Sequence, residues 1–190
     1  MRTLVIALRV TVLTLVVTGL VYPLVGLGVG ALFTPQAGGS LVRDGHGIVV
    51  GSALIGQRWT RAAYFQGRPS AGDYDGAASG GSNLGPTSKK LRDRTDAERA
   101  RLEHENPGAG PVPTELLAAS ASGLDPHISP ASARWQARRV ATARGLTVSR
   151  VDAAIDPLVE PRTLGFLGEP RVNVLLLNRA LDAQFGTQAR

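Results

Sequence analysis

From Val10 to Phe33 the chain runs for 24 residues without a charge, VTVLTLVVTGLVYPLVGLGVGALF. As an α-helix at about 1.5 Å per residue this run spans roughly 36 Å, enough to cross a hydrocarbon core of roughly 30 Å with some tilt. Nothing comparable recurs in the 157 residues that follow. The pattern therefore predicts one membrane helix (10–33) carrying one water-soluble domain (34–190). A cleaved signal peptide is the competing reading: Arg2 and Arg9 supply a basic start, and Val29-Gly30-Ala31 offers small residues for cleavage. Its apolar core runs to about 7–15 residues, however, and this run is longer. The expectation is a retained anchor.

Arg2 and Arg9 precede the span. The positive-inside rule then places residues 1–9 in the cytoplasm and the domain outside it. The other 19 basic residues face 15 acidic ones in that domain, an excess that long domains carry across largely regardless of charge. Within the span, Pro23 predicts a kink, and Gly19, Gly26, Gly28 and Gly30 interrupt the apolar run. Gly26 and Gly30 share a helix face in a small-xxx-small arrangement that lets another helix approach closely.

The chain has no cysteine. Disulfides, thiolate nucleophiles and cysteine metal sites are thereby excluded. The pI near 10.7 raises nucleic acid or an anionic surface as partners. Against nucleic acid, the basic residues are interleaved with acids, as in Lys89-Lys90-Leu91-Arg92-Asp93-Arg94, and no aromatic-basic stripe is present.

Residues 34–47 read as a linker rich in Gly, Pro and polar residues. Residues 48–55 read as a strand. Residues 58–87 form a long Gly/Ser/Pro-rich loop, in which Tyr64-Phe65 argues for ordered packing. Residues 88–105 predict a charged, mostly solvated helix capped by Thr87 or Ser88. A short helix is expected near Glu115–Ala119. A longer one starts at Pro130 behind Ser129 and stops at Gly145. Another covers 148–155, and a last one behind Asn173 carries Val174, Leu177, Leu181 and Phe185 on one face. The fold class is α+β: one transmembrane helix, then a single helix-rich domain with a small sheet.

Three stretches invite chemistry. Gly80 to Gly85 has the glycine spacing of a phosphate loop, but Pro86 stands where the lysine of such a loop belongs and removes an amide donor. Ser79-Gly80-Gly81-Ser82 is closer to the serine-glycine-glycine core of a transport-ATPase signature loop, which makes these four the candidate nucleotide-binding residues, with Gly80 to Gly85 as the alternative small-anion-binding module. A tight Gly/Ser turn is the plainer account. Ser120, Ser122, Asp125 and His127 suggest a hydrolase triad, yet nearby positions do not make one and no nucleophile-elbow pattern surrounds either serine. Asp-Pro and Ser-Pro turns account for the same residues. With only His46, His104 and His127, a three- or four-ligand metal site is not expected.

Several strings occur in one order: Thr18-Gly19-Leu20-Val21-Tyr22-Pro23-Leu24, Gly51 to Gln57, Tyr64 to Ala71, Ser79 to Thr87, Ser120 to Pro130 and Arg171 to Asn178. Together they resemble the KdpC family, the C subunits of the bacterial Kdp high-affinity potassium-transporting ATPase. The resemblance implies a non-catalytic subunit acting in assembly and coupling, with no cofactor of its own and ATP reached only through the complex. It implies three partners in the bacterial inner membrane: a channel-like potassium-translocating subunit, a P-type ATPase subunit and a very small membrane subunit. The family is described as a catalytic chaperone that raises the ATP affinity of the hydrolysing subunit. That description conflicts with the placement argued from Arg2 and Arg9, because ATP is cytoplasmic and the domain is expected outside.

Overall fold

The computed structural model describes residues 1–187. The chain forms two compact units, residues 1–41 and 42–190.

In the first unit the apolar run is helical from Arg2 to Gly30. It begins eight residues before the uncharged stretch and ends before Phe33. Three pieces compose it: α1 (Arg2–Val16), a π-helical turn (Val17–Val21) and α2 (Tyr22–Gly30). The expected proline kink takes the form of that π turn. Pro23 has no N–H to donate one turn back, and the preceding Tyr22 amide reaches Val17 O, five residues away. The extra residue lets the helix continue through the proline, a common use of π-bulges. Thr18 Oγ1 donates to Thr14 O at 2.7 Å, so the span leaves that hydroxyl satisfied without a partner outside the helix. A short α3 (Thr34–Ala37) follows, where the composition suggested only linker.

The second unit is a mixture of helices and small sheets. β1 (Leu41–Arg43) and β2 (Val49–Ser52) form a two-stranded hairpin. The linker expectation for 34–47 thus gives way to a strand. The Asp44 carboxylate organises its turn, accepting from the His46 and Ile48 amides at 2.8 and 2.9 Å. α4 (Lys89–Glu105) starts at Ser88, whose hydroxyl accepts from the Leu91 amide, and buries only Leu102. α5 (Thr114–Leu117), α6 (Pro130–Arg144), α7 (Val148–Ile155) and α8 (Val174–Phe185) come next, α5 behind Pro113 with no side-chain cap. Ser129, Thr147 and Asn173 each accept from an amide in the first turn, and Gly145 closes α6 with φ +66°.

A three-stranded antiparallel sheet completes the unit, in the order β3 (His127–Ile128), β5 (Arg171–Asn173), β4 (Val159–Glu160). Ile128 pairs with Val172, and Val172 with Val159. These strands are two or three residues long, too short to show period-two alternation in the sequence. α6 and α8 pack against the sheet, and α7 packs on these two helices. Val140, Val151, Ile155, Val172, Leu177 and Leu181 form the core with Phe65 from the long loop. Burying such side chains is worth about 1.5–3 kcal/mol each.

Candidate functional site

The loop 58–87 contains no helix or strand, yet it enters the core. Phe65 is fully buried, with Tyr64 and Gln66 nearly so. Backbone in an interior needs partners for its N–H and C=O groups. Here side chains supply them. The Asn178 amide on α8 accepts from Phe65 N at 2.8 Å and donates to Phe65 O at 3.0 Å. The Gln136 amide on α6 does the same for Gln66, at 2.9 and 3.0 Å. Each amide imitates the neighbouring strand that the loop lacks.

Two arginines complete the clamp. Arg139 Nη1 donates to Ala62 O and Tyr64 O at 2.7 and 3.0 Å, its Nη2 to Gln136 Oε1 at 2.8 Å, and its Nε to Asn106 Oδ1 at 3.0 Å. Burial lowers its pKa to about 10, with Glu105 opposing the shift, so the guanidinium stays charged at any physiological pH. Arg144, with a fully buried side chain, donates to Ala63 O at 2.7 Å and to Asp182 Oδ1 at 2.8 Å. Tyr64 is held between them: its hydroxyl donates to Asp182 Oδ2, and the Arg61 and Arg144 guanidiniums each lie 4.8 Å from its ring centre.

The clamped segment leads into a platform that unites two stretches singled out in the sequence. Gly80 N donates to Ser122 O at 2.8 Å, and Ser79 Oγ to the same carbonyl at 3.1 Å. A Cβ on Gly81 would lie 2.9 Å from Ala121 O, and one on Gly123 2.8 Å from Gly80 O. Gly81 and Gly123 thus allow two backbones to touch, and the Gly80 amide is engaged inside the chain. Further along the platform, Ser120 N donates to Pro69 O, Ser70 Oγ to Gly123 O and Gly56 N to Leu124 O, at 3.0, 2.7 and 2.7 Å.

Asp125 anchors the platform to the sheet. One carboxylate oxygen accepts from the His127 amide at 3.0 Å, and the other from Arg68 at 3.2 Å. Burial alone raises its pKa, but the His127 contacts and the Arg68 charge outweigh this and hold it below 3.8. The His127 ring has Nδ1 3.5 Å from Asp125 and Nε2 3.9 Å from Glu160. Both nitrogens face carboxylates, whereas a serine relay needs one of them on the hydroxyl. Ser120 is buried, and Ser122 Oγ accepts from the Leu124 amide. The serines, Asp125 and His127 are therefore neighbours, with Ser122 and Asp125 arranged as turn residues and His127 in β3. Among the described residues no group of three or more His, Asp or Glu is placed to hold a metal ion.

The sequence reading missed the clamp. Its trace was polar residues on otherwise inward helix faces: Gln136 and Arg139 beside Val140, and Asn178 between Leu177 and Leu181. In the apolar helix, Gly19, Gly26 and Gly30 have open space where a Cβ would stand.

The chain is similar to known proteins over most of its length. Residues 4–183 match the family KdpC, described as K+-transporting ATPase, c chain. The chain belongs to the KdpC family. A potassium-transporting ATPase KdpC subunit of Myxococcus xanthus is 64% identical over 184 residues, 95% of this chain and 87% of that one. The KdpC subunit of Caulobacter vibrioides strain CB15 is 54% identical over 173 residues, covering 90% and 87%. That of Rhodospirillum rubrum is 52% identical over 189 residues, covering 97% of both chains. The family match thus runs from the apolar helix into α8.

Proposed function

We propose that this chain is the C subunit of a membrane-embedded potassium-transporting ATPase, acting in assembly and coupling and leaving ion translocation and ATP hydrolysis to other subunits. The observation that carries the reading is the family match across residues 4–183, joined to one apolar helix, among the described residues, long enough to span a bilayer. Its partners are a channel-like potassium-translocating subunit, a P-type ATPase subunit and a very small membrane subunit. A tagged chain solubilised from membranes under gentle detergent brings down a large polytopic subunit and an ATPase; a chain that purifies alone overturns the reading.

Arg2 and Arg9 favour a cytoplasmic N-terminus and an extracytoplasmic domain in the bacterial inner membrane. A reporter active only outside the cytoplasm, fused after Arg190, is expected to work. On this topology the Ser79–Ser82 loop is separated from cytoplasmic ATP, and any influence on ATP affinity travels through the membrane helices. The Gly26/Gly30 face, with Gly19 and the π turn before Pro23, then forms the docking surface for a neighbouring helix. Replacing Gly26 and Gly30 by leucine lowers recovery of the polytopic subunit if that face is used and leaves it unchanged if not.

A further inference from the structure

The connection between β4 and β5 is a finger with an apolar tip. It rises in rungs. At its root Glu160 and Arg171 pair both through the backbone and through a 2.9 Å ion pair. Next, Arg162 holds both oxygens of Glu169 at 2.9 and 2.7 Å. Thr163 and Leu167 then close the loop with two 2.9 Å backbone bonds, and Gly165 N and Phe166 N donate to Arg162 O and Thr163 O. Beyond this rung Leu164 is 79% exposed, Phe166 68% and Leu167 50%.

Scattered apolar residues on a surface need no explanation, but three within four positions on a pinned loop form a patch. The backbone also holds Leu164 at φ +54°, a left-handed conformation that costs a branched side chain about 1 kcal/mol or more. The loop is pinned by its own hydrogen bonds and strained at Leu164, with these side chains at the surface.

We infer that this finger is a docking element whose tip enters an apolar, polar-rimmed pocket on another protein subunit of the same transport complex. The inference rests on reading the chain as a complex subunit. Charge selects a protein over a lipid surface. The stalk carries Arg162 and Arg171 against Glu160 and Glu169, so it is neutral, whereas attraction to anionic headgroups needs an excess of positive charge. Two fixed, oppositely paired ion pairs behind an apolar tip match the apolar centre and polar rim of a protein interface. Pro161 and Pro170 flank the stalk and have no N–H to offer, so the finger is suited to binding through its side chains rather than by adding a strand.

The test uses the full chain co-expressed with the other subunits. The variant Leu164→Ser/Phe166→Ser is expected to recover those subunits about tenfold less well, as for loss of a central hot spot, with its own thermal unfolding unchanged. Recovery equal to the unsubstituted chain overturns the finger while leaving the subunit reading intact; an unsubstituted chain that recovers nothing overturns both. A second variant does not depend on affinity. The chain has no cysteine, so Phe166→Cys carries a thiol-directed photocrosslinker at one site. Crosslinks in membranes to another subunit support the proposal. Crosslinks only to lipid, only to a second copy of this chain, or to nothing, overturn it.

Discussion

The segment Ala62–Gln66 and the finger at residues 162–169 are both irregular backbone, and they invert the usual placement of side chains in opposite ways. The first brings polar groups inside: Gln136, Arg139, Arg144 and Asn178 are buried around it. The second puts Leu164, Phe166 and Leu167 outside. Inside, the polar side chains complete the hydrogen bonding of a loop that has no strand beside it. Outside, the loop satisfies much of its own hydrogen bonding and leaves its apolar side chains unused by the fold. The clamp is therefore expected to govern stability, and the finger association. Substitutions that separate these two quantities test the distinction.

The largest effect is expected at Arg139. Alanine there leaves the carbonyls of Ala62 and Tyr64 and the side-chain oxygen of Asn106 without that donor, and Gln136 Oε1 with the Gln66 amide but not the guanidinium. Unpaired buried groups cost about 1–3 kcal/mol each, although some relax toward water. A loss of about 3–5 kcal/mol is expected. Denaturant unfolding of the detergent-solubilised chain, followed by tryptophan fluorescence, measures it; Trp59 stacks on Tyr64 with ring centres 5.0 Å apart and so reports on the clamped loop. A loss below about 1 kcal/mol, the size of an exposed ion pair, removes the clamp from the account.

Asn178→Leu and Gln136→Leu come next, at about 2–4 kcal/mol each, because each strands one N–H and one C=O of the loop. Their effects should not add. Phe65 and Gln66 are adjacent, and once one amide releases the loop the other holds less. Full additivity in the double variant would show two independent contacts instead of one clamp.

These residues also explain what could be read in the sequence. Three helix starts and one stop were legible because their signals are local: Ser88, Ser129 and Asn173 cap starts, and Gly145 marks a stop. A small sheet was expected, but the strands of the three-stranded sheet were not placed, since β3 and β4 have two residues each and take their identity from pairing with β5, β3 across a long separation. The clamp joins positions 70 to 113 residues apart. A single sequence shows such residues only as polar interruptions of apolar faces. The platform was half legible: Ser79 to Ser82 and Ser120 to His127 stood out separately, and only the fold brings Gly80 onto Ser122.

Gly56 gives a smaller effect and tests the platform that the clamp leads into. A Cβ there would lie 2.6 Å from Asp125 O, whereas Gly85 has open space. Gly56→Ala is expected to cost about 1–3 kcal/mol through forced backbone movement. Gly85→Ala should be neutral or slightly stabilising by restricting the unfolded chain. Equal effects would mean that the platform yields freely.

Asp125 should matter less, and only in acid. Its folded pKa lies below 3.8, so the unfolded chain binds the proton more readily. Its stabilising contribution is complete above that value and is lost as pH falls through the lower, folded pKa. Both Arg68 and Asp125 are about a quarter exposed, which keeps the contribution near or below about 1 kcal/mol. Asp125→Asn should flatten the acid limb of the stability curve and leave it nearly unchanged at neutral pH. An unaltered acid limb would assign acid sensitivity to other carboxylates.

The smallest stability effect is expected at the finger, and its sign is informative. Leu164→Gly removes an exposed side chain from a left-handed residue. Relief of about 1 kcal/mol of strain opposes the greater freedom that glycine gives the unfolded chain, a term of similar size. The net change should fall within about 0.5 kcal/mol of zero, as for most surface substitutions. A large loss would mean that Leu164 supports the fold and would move the finger into the same class as the clamp. No loss in stability, coupled with lost recovery of the other subunits, is the signature of a residue held in strain for a partner. Fold requirements alone cannot account for it, because the folded chain does as well without the side chain.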